Sequence, residues 1–145
     1  MPATLKSVPA NRQNNAREVV ERFFTACCAL DFDGALELID ERCVYRNVPF
    51  HKARGKERIR RDLTLMAKGM TAFDVDMIHL AVSGNTVLTE RVDTLTGRFF
   101  RAELPLMGVL VVENGKITEW RDYFDWSAMM GKITGSILMR PFRRS

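Results

Sequence analysis

The sequence predicts an α+β fold, and three observations carry that prediction. Apolar residues recur at helical spacing through the first part of the chain. They alternate with polar residues through the second part, and Gly84-Asn85, Thr96-Gly97 and Asn114-Gly115 punctuate the alternating runs. Helices first and strands afterwards place the helices on one side of an antiparallel or mixed sheet. A strongly curved sheet under such a cover makes a cone with an internal apolar pocket.

With 145 residues and 46% hydrophobic content, the chain can bury one real core. Three segments are expected: an N-terminal arm over 1–15, a single cone domain over 16–135, and a basic tail over 136–145. The arm is polar, contains Pro2 and Pro9 and lacks periodicity, so it is expected to be mobile. The net charge of +4 is mild and partly collected at Arg140, Arg143 and Arg144. No recognition motif accompanies it, which argues against nucleic acid as a partner. No apolar run is long enough to span a bilayer, and the first residues lack the apolar core of a secretory signal. A cytoplasmic protein is expected.

Asn14 or Asn15 can cap a long helix from Ala16, whose stripe is Val19, Val20, Phe23, Phe24, Cys27 and Leu30. Asp31 to Gly34 should break it, with a short helix at 35–39 following. Cys43 to Asn47 reads as a short strand ended by Pro49. A third helix at 56–68 turns Ile59, Leu63 and Met66 inward and stops at Gly69. Strands follow at 72–82, 86–96, 98–112 and 116–124, joined by the turn dipeptides. Pro105 and Gly108 suggest a bend or bulge in the third of these. Asp125 can cap a last helix at 126–133.

Three in-register pairs stand out. In Thr89-Glu90-Arg91-Val92-Asp93, alternation sends Arg91 and Asp93 to one face with Thr89 and Leu95. Buried charges of this kind are costly unless each finds partners. Tyr45 and Asn47 share a face of the short strand, and Asp122 lies between Trp120 and Phe124 on the last one. Each has an ordinary structural reading: a core aromatic, a turn residue before proline, an ion-pair network within a sheet. Taken together, they suggest a polar site within an apolar interior.

Tyr45-x-Asn47, Glu90-Arg91-Val92-Asp93 and Trp120-Arg121-Asp122-Tyr123-Phe124-Asp125 resemble, in order and spacing, the motifs of the limonene-1,2-epoxide hydrolase family. The resemblance covers about residues 16–130 and implies the cone fold named after nuclear transport factor two. It implies Asp122 as general base, Asp93 as general acid, Arg91 as the arginine between them, and Tyr45 and Asn47 as holders of the attacking water. It departs from the family at the shorter turn Thr96-Gly97 and in the character of residues 50–54, which bear on substrate size. The chemistry suits these residues: opening an epoxide needs one group to take a proton from water while another gives one to the leaving oxygen. Met66, Leu95, Leu104, Leu106, Trp120 and Phe124 are the expected pocket walls.

No cofactor and no metal are expected, because the three cysteines and two histidines lack ligand spacing. Cys27 and Cys28 read as small buried hydrophobes. Apolar residues on both faces of the third long strand point to a homodimer through the sheet, as the resemblance also implies. The expected partners are therefore a small apolar epoxide, a catalytic water and a second copy of the chain. Two other readings stay open: a ketosteroid-isomerase-like or polyketide-cyclase-like enzyme on the same fold, and a binding module without chemistry.

Overall fold

The computed structural model describes the backbone of residues 10–127 and the side chains from Asn15 onward. Helix α1 (Ala10–Cys28) and helix α2 (Phe32–Glu37) lead into strands β1 (Ile39–Val48) and β2 (His51–Arg54). Helix α3 (Lys56–Ala67) follows, then β3 (Ala72–Ser83), β4 (Thr86–Thr96), β5 (Arg101–Glu113) and β6 (Lys116–Phe124). The strands form one sheet in the order β2-β1-β6-β5-β4-β3, antiparallel throughout except for the parallel β1–β6 pair. The sheet is curved and mixed, as expected.

Several boundaries differ from the sequence reading. Helix α1 begins at Ala10, so Asn14 and Asn15 lie within it rather than at its N-cap. It ends where Leu30 takes a left-handed φ of 57°, and Leu30 leaves the apolar stripe for the surface. The first helix is broken as expected, but the break is over by Phe32: Asp31 caps α2 by accepting a hydrogen bond from Gly34 N at 3.0 Å, so Phe32 to Gly34 are helical. Ile39 accordingly starts β1 rather than ending α2. Cys28 is exposed while Cys27 is buried, because successive helical residues point about 100° apart. Strand β2 was not foreseen, and β5 starts at Arg101 because Gly97 N bonds Phe100 O at 2.9 Å and closes a wider loop. Trp126 and Ser127 begin a helical turn; the rest of the helix expected at 126–133 and the tail at 136–145 lie outside the described residues.

The expected bulge at Pro105 or Gly108 does not occur: β4 and β5 pair without a register shift from Thr86–Val111 to Thr96–Arg101. Pro105 O accepts from Asp125 N on the β6 side, so the missing proline N–H also lies on that side, where β6 is ending. The sheet is irregular elsewhere. Ile78 is an extra residue in β3 opposite the Arg91–Glu90 step of β4, and further shifts fall at Ile39/Val44 and Val111/Val112. Such insertions bend strands and increase their twist.

Helix α1 crosses the concave face, touching β3, β4, β5 and β6. Its Val20, Phe23 and Phe24 pack into a core with Val87, Leu110, Ile117 and Trp120. Helix α3 covers the β1–β2 end of the same face with buried Ile59 and Leu63. Helices therefore cover one face, and the interior side chains of β1, β4 and β6 point beneath them.

Candidate active site

Alternation in β4 works as the sequence indicates: Val87, Thr89, Arg91 and Asp93 are buried, and the residues between them are not. Burying Arg91 and Asp93 brings them to Asp122 from β6, two strands away. The Arg91 guanidinium donates from Nε to Asp93 Oδ1 at 2.9 Å and from Nη2 to Asp122 Oδ1 at 2.9 Å. Nη2 also reaches Asp93 Oδ2 at 3.3 Å, and Nη1 donates to Thr89 Oγ1 at 2.9 Å. The Phe24 ring lies over the cation, 4.6 Å from centroid to Cζ. Arg91 is 1% exposed and Asp122 2%, so water does little to screen the cluster.

Space for the guanidinium comes from Gly108. This residue pairs with Thr89 on one side and with Asp122 on the other. A Cβ there would press on Arg91 Nη1, lie 2.7 Å from Thr89 Oγ1 and 3.1 Å from Asp122 Oδ1. Gly108 thus marks a close approach of side chains to the backbone rather than a bend, a second meaning that glycine within a strand carries.

The parallel β1–β6 register sets Tyr45 beside Trp120 and Asn47 beside Asp122. The Tyr45 and Trp120 rings lie 4.2 Å apart between centroids. Asn47 Oδ1 is buried and meets no partner among the described residues, and the buried Trp120 indole N–H faces Asp122 and helps to hold its carboxylate.

Burial raises the Asp93 pKa from its ordinary 3.8 to about 6, although Arg91 works in the opposite direction. Asp122 is also pushed up by burial and held down by Arg91. One cation facing two carboxylates is balanced when the pair keeps a single proton. The Tyr45 phenol is driven upward, first by burial and then by Asp122, so it stays a neutral O–H donor. Burial raises the Cys27 thiol to about 12, which makes it a packing residue rather than a nucleophile. Among the described residues no cluster of His, Cys, Asp and Glu is arranged to hold a metal ion.

Above these groups lies a cavity of about 260 Å³. Tyr45, Asn47, Arg91, Asp93 and Asp122 all line it, with Met66, Leu95, Leu104, Trp120 and Phe124 from the expected walls. Leu106 does not line it. That side chain is buried in β5, next to Arg91 on β4 and Phe124 on β6, and both of those neighbours do line the cavity. The sequence reading missed Phe23, Phe24, Leu63 and Phe73 as lining residues, and also the polar pair His51 and Asp62. Helical residues gave no sign of which would meet the cavity, and His51 lies on the unforeseen β2.

The model of the limonene-1,2-epoxide hydrolase catalytic domain matches residues 14–134. The chain belongs to this family. It is 36% identical over 123 residues to epoxide hydrolase EphG of Mycobacterium tuberculosis, covering 83% of this chain and 80% of that protein. A solved LEH-like epoxide hydrolase from M. tuberculosis superposes with a TM-score of 0.77 at 34% identity, covering 87% of this chain and 94% of the other. An NTF2-like protein of unknown function from Cytophaga hutchinsonii reaches 0.67 at 20% identity, over 88% and 99% of the two chains. A protein described as a SnoaL-like polyketide cyclase, from Shewanella denitrificans, reaches 0.75 at 17% identity, over 83% and 97%. The last two share the fold only. Within the described residues, no helix of this epoxide hydrolase family member is long and apolar enough to cross a membrane.

Two outcomes follow from this geometry. Arg91 is fixed by four hydrogen bonds and cannot yield to a new methyl group. Gly108→Ala is therefore expected to cost about 1–3 kcal/mol in urea unfolding, in the range of overpacked cores. The second outcome concerns pH. A carboxyl at about 6 in the fold and 3.8 outside it keeps a proton that the unfolded chain releases, so stability falls as pH rises between those values. The loss is about 3 kcal/mol for a shift of this size. Unfolding curves of the wild type and Asp93→Asn at pH 4 and pH 7 should show the wild type losing stability relative to the variant. A constant difference between the two proteins would contradict the assignment of the shift to Asp93.

Proposed function

We propose that this protein adds water to an apolar, cyclic epoxide in one step, giving a vicinal diol without a covalent enzyme intermediate. The observation that carries the reading is the single guanidinium bonded to two buried carboxylates at 2.9 Å each, under an apolar cavity, in a chain of this family. In this reading Asp122 is the general base, ionised and next to the water site, and Asn47 and Tyr45 hold the water. The water oxygen attacks one epoxide carbon as its proton passes to Asp122. The C–O bond on that carbon breaks, and Asp93 gives its proton to the leaving oxygen. Arg91 stays charged throughout and stabilises whichever carboxylate is ionised. The arrangement resembles an inverting glycosidase, in which two carboxyls leave room for a water between the acid and the base. Met66, Leu95, Leu104, Trp120 and Phe124 would hold the hydrocarbon. An isomerase or cyclase would need one base and an oxyanion donor, so it would not require two acids joined by an arginine.

A homodimer belongs to the same proposal. The outer sheet face exposes Ile78, Leu88, Met107 and Tyr123, with Met107 paired to Tyr123 across β5 and β6. Arg46, Lys52 and Arg54 lie towards the β2 edge of that face, and Asp74 and Asp76 on β3 at the opposite edge. A two-fold contact would set the basic half of one copy on the acidic half of the other.

Asp93→Asn and Asp122→Asn are each expected to lower diol formation by at least about 10³-fold with the fold retained, on the scale of losing a general acid or base. Near-normal turnover by either variant would remove its assigned role. In a single turnover in ¹⁸O-water the label should enter the diol; an unlabelled first diol would mean delivery by an enzyme carboxylate. Sedimentation should give a dimer for the wild type and a monomer for Met107→Glu. A monomeric wild type would dismiss the proposed interface.

A further inference from the structure

The cavity holds a second polar pair for which the reaction above has no use. His51 Nε2 lies 2.7 Å from Asp62 Oδ2, joining the β2 edge to α3, and both residues line the cavity. Asp62 Oδ1 is engaged as well, 3.4 Å from Arg58 Nε. Register puts His51 in line with the reacting groups: it pairs with Asn47 on β1, and Asn47 pairs with Asp122 on β6. His51 therefore stands two strand spacings from the general base, about 10 Å at the backbone. Asn47 is the polar lining residue between them, and the other walls there are largely apolar: the Tyr45 ring centre is 6.3 Å from the His51 ring, with Leu63, Met66 and Phe124 also lining the cavity.

The pairing sets which hydrogen bond His51 can offer. A carboxylate only accepts, so Nε2 must carry the hydrogen it donates to Asp62. In the neutral ring the other nitrogen, Nδ1, is then an acceptor, and it meets no partner among the described residues. Both oxygens of Asp62 accept too. This end of the cavity thus matches a hydrogen-bond donor and offers nothing to a plain hydrocarbon.

We propose that His51, with its tautomer fixed by Asp62, is a specificity-determining residue that accepts a hydrogen bond from a hydroxyl group on the substrate. The inference rests on the epoxide-hydrolase reading and deepens it: the preferred substrate is an amphiphilic epoxide, apolar in the middle, with a hydroxyl remote from the strained ring. Neither residue takes part in opening the epoxide. His51 acts on which substrate is held and Asp62 acts through His51.

The test compares limonene-1,2-epoxide with the same epoxide hydroxylated on its isopropenyl group, by the ratio of their kcat/KM values. The wild type should favour the hydroxylated compound by about 3- to 10-fold, the size of one neutral hydrogen bond. His51→Phe keeps a ring of similar size without an acceptor and should bring the ratio to within twofold of one. Asp62→Asn frees the tautomer and should lower the ratio as well. A merely structural bridge between β2 and α3 would reduce turnover of both compounds alike and leave the ratio in place. Equal use of the two epoxides by the wild type, or a ratio that survives in His51→Phe, overturns this inference alone. If His51→Phe fails to fold, the wild-type ratio and the Asp62→Asn ratio decide. No turnover of either epoxide by the wild type sinks the hydrolase reading and takes this inference with it.

Discussion

The structure depends on a cation that has left water. Arg91 is almost fully buried, and a charge in that position is tolerated only when its hydrogen-bond donors are met and its field is balanced. Asp93, Asp122 and Thr89 take four hydrogen bonds from its five N–H groups, and Phe24 covers the face of the guanidinium. Removing one carboxylate would leave the balance to the other, and removing the arginine would leave two acids repelling each other in a dry interior. The three residues form one electrostatic unit, in which burial favours the protonated form of each carboxyl and Arg91 favours the ionised one. The acid–base asymmetry that the proposed reaction needs would come from the same balance that lets the cluster be buried at all.

Much of the sheet can be understood as making room for that unit. Gly108 removes a side chain between β4 and β6 so that the guanidinium can cross the strand that separates Arg91 from Asp122. The extra residue Ile78 on β3 falls opposite the Arg91 step, where added curvature deepens the interior. The parallel placement of β1 beside β6 then sets Tyr45 and Asn47 next to Trp120 and Asp122. Helix α1 closes the space with Phe23, Phe24 and Cys27, all of which line the cavity. Solved proteins of 17–20% identity keep this cone, so the architecture is general. What distinguishes one use of it from another is which side chains the interior faces carry.

The residues that the sequence pointed to and those it hid separate along physical lines. Period-two alternation is a local property, so Arg91 with Asp93, Tyr45 with Asn47, and Trp120 with Asp122 and Phe124 could each be assigned a shared face from neighbours alone. Turn dipeptides were equally readable: Asn114 and Gly115 both take positive φ between β5 and β6, as a two-residue hairpin demands. Pro105 and Gly108 were read as local disturbances, yet the β4–β5 register runs through both without a shift. Their reasons lie on neighbouring strands, in the ending of β6 and in the bulk of Arg91. Leu106 was expected as a pocket wall; it is buried beside Arg91, but a shared face does not decide which of its residues a cavity reaches.

The sequence by itself determined the order of helices and strands apart from β2, the grouping of charged and polar side chains into three in-register pairs, and the family those pairs belong to. These follow from backbone periodicity and from residue types, which are properties of each segment. Only the tertiary structure decided that the three pairs line one cavity, that Gly108 supplies the space between strands, and that His51 and Asp62 join the cavity from an edge strand and a helix. Convergence depends on strand order, register and curvature, which arise from contacts between segments far apart in the chain, and no segment carries that information alone.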